Sequence, residues 1–91
     1  MKHCNLKITG KVQGVFFRAE AKKKAKELKL TGFIRNEEDG TVYAELEGEE
    51  SLINEFHEWV KAGGPELATV ENTAFTCDDE LKEFEDFTVR T

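Results

Sequence analysis

Residues 10–18 read Gly-Lys-Val-Gln-Gly-Val-Phe-Phe-Arg, and the patterns on either side of this stretch decide the architecture. On its N-terminal side Leu6, Ile8 and Val12 alternate with Asn5, Lys7, Thr9 and Lys11, the period of two that marks a half-buried strand. On its C-terminal side residues 19–29, AEAKKKAKELK, are rich in strong helix formers. The stretch is therefore a strand-to-helix turn, with Gly10 and Gly14 inside it and Arg18 at the start of the helix. Such a turn suits an anion. Glycine reaches positive φ and carries no Cβ, so successive backbone N–H groups can converge on one point. The first helical turn adds unpaired N–H groups and a positive dipole end. Arg18 adds a planar fork that matches two phosphate oxygens. The spacing alone fits an ordinary tight turn with a surface arginine equally well.

The pattern predicts a strand over 2–12, with Cys4 on the buried parity of Leu6 and Ile8. A helix follows over about 17–28, placing Ala21, Ala25 and Leu28 on one side. Lys22, Lys23, Lys24 and Lys26 fall mostly elsewhere, as a solvated face or a weak guide for anions. Thr31-Gly32 is expected to end that helix. A strand over 33–36, an Asp-Gly turn at Glu37–Gly40 and a strand over 41–47 form a hairpin. In it Val42, Ala44 and Leu46 face inward, and Thr41, Tyr43, Glu45 and Glu47 outward. A second helix over about 50–62 carries Leu52, Ile53, Phe56, Trp59 and Val60 as a wide apolar stripe, with His57 exposed beside it. Gly63-Gly64-Pro65 stops it. A strand from Ala68 to about Phe75 or Cys77, a polar loop at 78–80 and a short strand at Phe87 and Val89 complete the chain. The order β-α-β-β-α-β predicts an α+β, ferredoxin-like sandwich: an antiparallel sheet with two helices on one face.

Composition narrows the function classes. Ninety-one residues, 38% hydrophobic, suffice for one domain over 1–91 with one core in two layers. A net charge of −6 argues against a nucleic-acid binder, whose affinity rests on Lys and Arg at phosphates, so any phosphate site is a local positive spot in a negative field. No apolar run approaches a membrane span, and residues 1–10 lack the apolar core of a signal peptide. Cys4 and Cys77 admit a disulfide, but without a secretory signal the composition favours two reduced thiols in a cytoplasmic protein. His3 and His57 are scattered and make no zinc spacing.

The stretch GKVQGVFFR closely resembles the acylphosphatase signature, a G-x-V-Q-G-V-x-F-R loop that cradles phosphate. The family's second block, G-[WF]-[VI]-x-N followed by G-T-V, is matched by Gly32–Asn36 and by Gly40, Thr41 and Val42. The resemblance extends to the helix with Phe56 and Trp59, the Gly-Gly-Pro after it and the Phe87-Thr88-Val89 ending. It implies the same fold, with the first and third strands neighbours at the sheet centre and the turn brought near Asn36. It also implies roles. Arg18 matches the phosphate-binding arginine, and Asn36 the asparagine that positions the attacking water. The N–H groups of Val12, Gln13, Gly14, Val15, Phe16 and Phe17 match the cradle. The family's proton acceptor is commonly taken to be the substrate itself, with no metal and no cofactor. The implied partners are a small acyl phosphate and inorganic phosphate as product or inhibitor; the acidic charge and the lack of a long apolar run predict no nucleic-acid and no membrane partner, and the domain is expected to stand as a monomer.

The residues present are compatible with that chemistry. The turn holds no cysteine or serine for a covalent phospho-enzyme, and G-x-x-x-x-G-K-[ST] is absent. No carboxylate cluster suggests magnesium, and no histidine near in sequence offers a base. Direct attack of water remains, which needs an easy leaving group. An acyl phosphate departs as a carboxylate whose conjugate acid has a pKa of about 4, so no general acid is required. Two departures from the family pattern stand out. Glu37 follows Asn36 where Thr or Ser is frequent, and a carboxylate there is expected to repel an anionic substrate. Ala44 stands where glycine is frequent, with little effect expected. Two other readings compete. One is a non-catalytic module of the same fold that binds an anion or a protein. The other is a ferredoxin-like RNA-binding domain, which needs paired exposed aromatics and a basic face.

Overall fold

In the computed structural model, which describes residues 1–90, the alternation of the first strand is realised in β1 (Lys2–Lys11). The helices α1 (Phe17–Glu27) and α2 (Glu50–Lys61) cover one face of a sheet made of β1, β2 (Thr31–Asn36), β3 (Val42–Gly48), β4 (Thr69–Asp78) and β5 (Phe87–Arg90). Leu6, Ile8, Ile34, Val42, Ala44 and Leu46 point to the helices and are fully buried against Ala21, Ala25, Ile53, Phe56 and Val60. The strand order is β4-β1-β3-β2-β5, so β1 and β3 are central neighbours and β2 lies beside β3, as expected.

The sheet is mixed, not antiparallel throughout: β5 runs parallel to β2. The cause lies in where β4 ends. Asp78 pairs opposite His3, and β2 begins opposite Glu47, itself paired with His3, so both lie at one end of the sheet. A chain that crosses that end to the far edge must enter its new strand in the direction of β2. The crossing segment, 79–86, is pinned by Glu47, whose carboxylate accepts the backbone N–H groups of Lys82, Glu83 and Phe84. Glu47 thus sits on the outward face, as its parity requires, yet is only 3% exposed. Phe84 stacks on His3 and meets Phe33 edge-on, with centroids at 6.0 and 5.8 Å.

Cys4 and Cys77 are joined in a disulfide (S–S 2.02 Å), not reduced. The β1–β4 register sets them directly opposite, a proximity that a sequence separation of 73 conceals. His57 is half-buried: its ring stacks on Phe75 at 4.1 Å and its Nε2 lies 3.0 Å from the Thr73 hydroxyl. The left-handed position after α1 is taken by Lys29 (φ 59), not by glycine. Leu30 N–H donates to Ala25 and Lys29 N–H to Lys26, the paired bonds of a Schellman end. Gly10 answers a different need. It lies at the register shift between β1 and β4, and a Cβ there would stand 2.1 Å from the Thr69 carbonyl oxygen. Among the described residues, no helix is long and apolar enough to cross a membrane.

Candidate active site

Residues 12–16 must carry the chain from β1 into α1. Val12 anchors the start of the turn in the core. Gly14 (φ 74) and Phe16 (φ 61, ψ 19) both take left-handed conformations, and Phe16 is the N-cap of α1 with no side-chain capping bond. The first intrahelical bond runs from Glu20 N–H to the Phe16 carbonyl at 3.1 Å. The N–H groups of Phe17, Arg18 and Ala19 therefore have no partner within the helix and lie at its positive dipole end. The residues that carry them line a cavity of about 330 Å³ together with Val12, Gly14 and Phe16.

Two strands complete the wall. Asn36, the last residue of β2, pairs with Val42 and so shares the helix-side parity of the sheet. It lines the cavity, and its Oδ1 is buried with no hydrogen-bond partner in the protein. A buried amide oxygen left so costs about 1–3 kcal/mol, which folds tolerate chiefly where function needs it. Val89 of β5 also lines it. Arg18, half-buried in the first turn of α1, donates from Nη1 to the Arg90 carbonyl at 2.9 Å. The last strand thereby orients the guanidinium while using one of its five N–H groups.

Of the residues singled out in sequence, Val12, Gly14, Phe16, Phe17, Arg18 and Asn36 are brought around this one cavity. Gln13 and Val15 are not in its wall. Val15 is buried, and Gln13 braces the turn from behind. The Gln13 amide nitrogen donates to the carbonyls of Glu37 and Thr41, both at 2.8 Å, fastening the turn to the hairpin next to Asn36. The sequence does not reveal that brace, Ala19, Val89 or the Arg90 carbonyl. Their partners lie 24 to 72 residues away, and no local pattern marks them. The hairpin is closed by Asp39, which accepts from the Thr41 hydroxyl and N–H. These bonds, with Lys7 nearby, hold its carboxyl down at about 2.

Glu37 does not intrude on the cavity. It follows the parity of Arg35 onto the outward face, where its carboxylate lies 3.3 Å from Arg35 Nε. Arg35 in turn covers the Tyr43 ring at 4.9 Å, so the guanidinium that neutralises Glu37 is itself fixed. Glu37 is thus paired on the outward face and stands outside the cavity wall.

The family model described as acylphosphatase matches residues 4–89 of the chain. The chain belongs to the acylphosphatase family. It is a hydrolase of that family, and its sheet and helices are the family's ferredoxin-like arrangement. An acylphosphatase of Marinobacter nauticus is 45% identical over 83 residues, covering 91% of this chain and 89% of that protein. The crystal structure of acylphosphatase from Bacillus subtilis matches with a TM-score of 0.95 at 32% identity, covering 100% of both chains. An acylphosphatase structure from Coxiella burnetii matches with a TM-score of 0.90 at 39% identity, covering 97% of this chain and 90% of that one.

Proposed function

We propose that this chain, as one domain over residues 1–91, hydrolyses the carboxyl–phosphate bond of acyl phosphates to a carboxylate and inorganic phosphate. The observation that carries the reading is the convergence of Arg18, Asn36 and the open N–H groups at the start of α1 on one cavity. The phosphoryl group occupies the turn, held by the backbone N–H groups of residues 12–17. The Arg18 guanidinium takes up charge on the phosphoryl oxygens as the bond to the acyl oxygen breaks. The Asn36 Oδ1 accepts a hydrogen bond from the attacking water and aims its lone pair at phosphorus. The water proton passes to the phosphoryl oxygens, and the carboxylate leaves without a general acid because its conjugate acid has a pKa of about 4. Positioning and preorganised charge supply the acceleration, and the reading invokes no metal and no cofactor.

The test is hydrolysis of benzoyl phosphate in the presence of EDTA, with a phosphate monoester in parallel. Cleavage of the acyl phosphate alone is expected. Asn36→Ala should lower kcat by roughly 100-fold or more, the scale of one preorganised polar group. Arg18→Ala should impair both KM and kcat. Wild-type rates in either variant would remove the assignment. Phosphate binding by a folded protein without turnover would favour a non-catalytic module. The reading also includes a monomer in the cytoplasm with no nucleic-acid or membrane partner. Sedimentation tests the first point. Alkylation of cells before lysis tests the location, since Cys4 and Cys77 recovered wholly as a disulfide would argue against a reducing compartment.

A further inference from the structure

A second concavity, of about 340 Å³, opens beside the phosphate cavity. Phe16 and Ala19 line both, as a shared wall. Val15, Pro65 and Leu67 form the rest of its apolar lining, and Glu20 and Glu66 stand at its rim. Two features set it apart from ordinary surface. Phe16 is 74% exposed and Leu67 63%, so two large apolar side chains left open to water meet in one groove. The backbone also holds Phe16 in the left-handed region, at a cost of about 1–2 kcal/mol for a residue with a Cβ. The fold maintains this placement from both sides. Phe17 is buried against Trp59, with ring centroids 6.3 Å apart. Gly64 lies so close to the Phe17 ring that a Cβ there would stand 2.9 Å from it, which brings Pro65–Leu67 up against the turn.

We propose that this groove receives the acyl portion of the substrate and selects apolar, uncharged acyl groups over those that carry a second anionic group. The inference rests on the acyl-phosphate reading of the neighbouring cavity and adds the substrate class to it. Asn36 lines the phosphate cavity but not the groove. In an in-line displacement with water held at Asn36, the leaving carboxylate departs on the far side of phosphorus, toward the wall that the groove shares. An aromatic or aliphatic acyl group then covers Phe16 and Leu67 and removes their apolar surface from water. A second carboxylate or phosphate on the acyl group meets Glu20 and Glu66 instead, in a protein whose net charge is already −6.

The experiment compares kcat/KM for acetyl phosphate, benzoyl phosphate and 4-carboxybenzoyl phosphate in wild type, Leu67→Ser and Glu66→Gln. Acetyl phosphate carries only a methyl group and reports the phosphate cavity alone. Leu67→Ser should lower the benzoyl-to-acetyl ratio by about three- to tenfold while leaving acetyl phosphate turnover unchanged. Glu66→Gln should raise the rate for 4-carboxybenzoyl phosphate relative to benzoyl phosphate by about two- to fivefold, and that gain should fade in molar salt. Ratios unchanged in both variants, with acetyl phosphate still hydrolysed, would overturn the groove assignment and leave the phosphate cavity standing. Loss of all three activities in folded wild-type protein would overturn both.

Discussion

Leu46 and Glu47 are consecutive residues of β3, both almost inaccessible, and buried on opposite faces of the sheet. Leu46 enters a dry layer of aliphatic side chains between sheet and helices. Glu47 enters a polar layer between sheet and the 79–86 segment. There it satisfies three backbone N–H groups and lies 2.7 Å from His3 Nδ1. His3, itself only 2% exposed, has Glu45 on its other nitrogen at 3.0 Å. One face is therefore held by removal of apolar area from water, the other by a buried carboxylate and its partners beside the aromatic rings of Phe33 and Phe84. The first mechanism tolerates loss of one contact at a graded cost. The second fails as a unit.

The Cys4–Cys77 bond ties edge strand β4 to central strand β1 over a separation of 73 residues. By loop-closure entropy it contributes about 4 kcal/mol. Urea unfolding of Cys77→Ser against oxidised wild type should show that difference, and dithiothreitol should erase it. A difference under 1 kcal/mol would mean that strand pairing alone fixes this edge.

Next come the adjacent pair themselves. Leu46→Ala should cost about 3 kcal/mol by transfer and cavity terms, with no dependence on pH. Glu47→Gln should cost a similar amount, about 3 kcal/mol, at neutral pH, because the remaining partners stay buried without their charge. The two should diverge in acid. Burial pushes the Glu47 carboxyl up, but the N–H groups of Lys82 and Phe84 and the His3 ring outweigh it and hold the group below its ordinary range. A carboxyl depressed in the folded state contributes stability that is fully present above its unfolded pKa, about 4.3, and lost as pH falls through the folded value. The gap between wild type and Glu47→Gln should therefore shrink below about pH 4, while the Leu46→Ala gap persists. Parallel curves for both variants would show that the outer layer is not held by charge.

The same contrast explains what the sequence made legible. The helix-side layer announces itself, since Leu6, Ile8, Val42, Ala44 and Leu46 alternate and Ile53, Phe56 and Val60 recur at helical spacing. So does the skeleton of the candidate site, because glycines, Arg18 and Asn36 sit in local motifs beside these periodic elements. The outer layer gives no such signal. Glu47 in a period-two strand reads as a solvated carboxylate, and only the path of residues 79–86 makes it a buried anchor. The parallel β5 follows from that path, and Arg18 is oriented through β5. The Gln13 brace and the Cys4–Cys77 bond were hidden for the same reason: each joins segments that only the finished register brings together. Lys29 shows the complementary limit, a left-handed position filled without the glycine that would have marked it.

The smallest effect tests the outer layer at its rim. Tyr43 lies on the same face as Glu47 and donates its hydroxyl to Glu45 Oε2 at 2.8 Å, linking Arg35 and Glu45 into the polar layer. Burial first, and the neighbouring Glu45 carboxylate next, push the phenol up to about 12. Because Tyr43 is the chain's one tyrosine, the phenolate absorbance near 295 nm on the order of pH 10 and above reports this group alone. The native protein should titrate near 12 and the urea-unfolded chain near 10. A phenol raised in the folded state contributes stability below its unfolded pKa and loses it as pH climbs through the folded one. Tyr43→Phe should accordingly cost about 1 kcal/mol at neutral pH, the net worth of one partly buried hydrogen bond. A native titration near 10 would mean that the hydroxyl meets water rather than Glu45. The polar layer would then stop at His3 and the two glutamates instead of extending toward the Arg35–Glu37 pair beside the site.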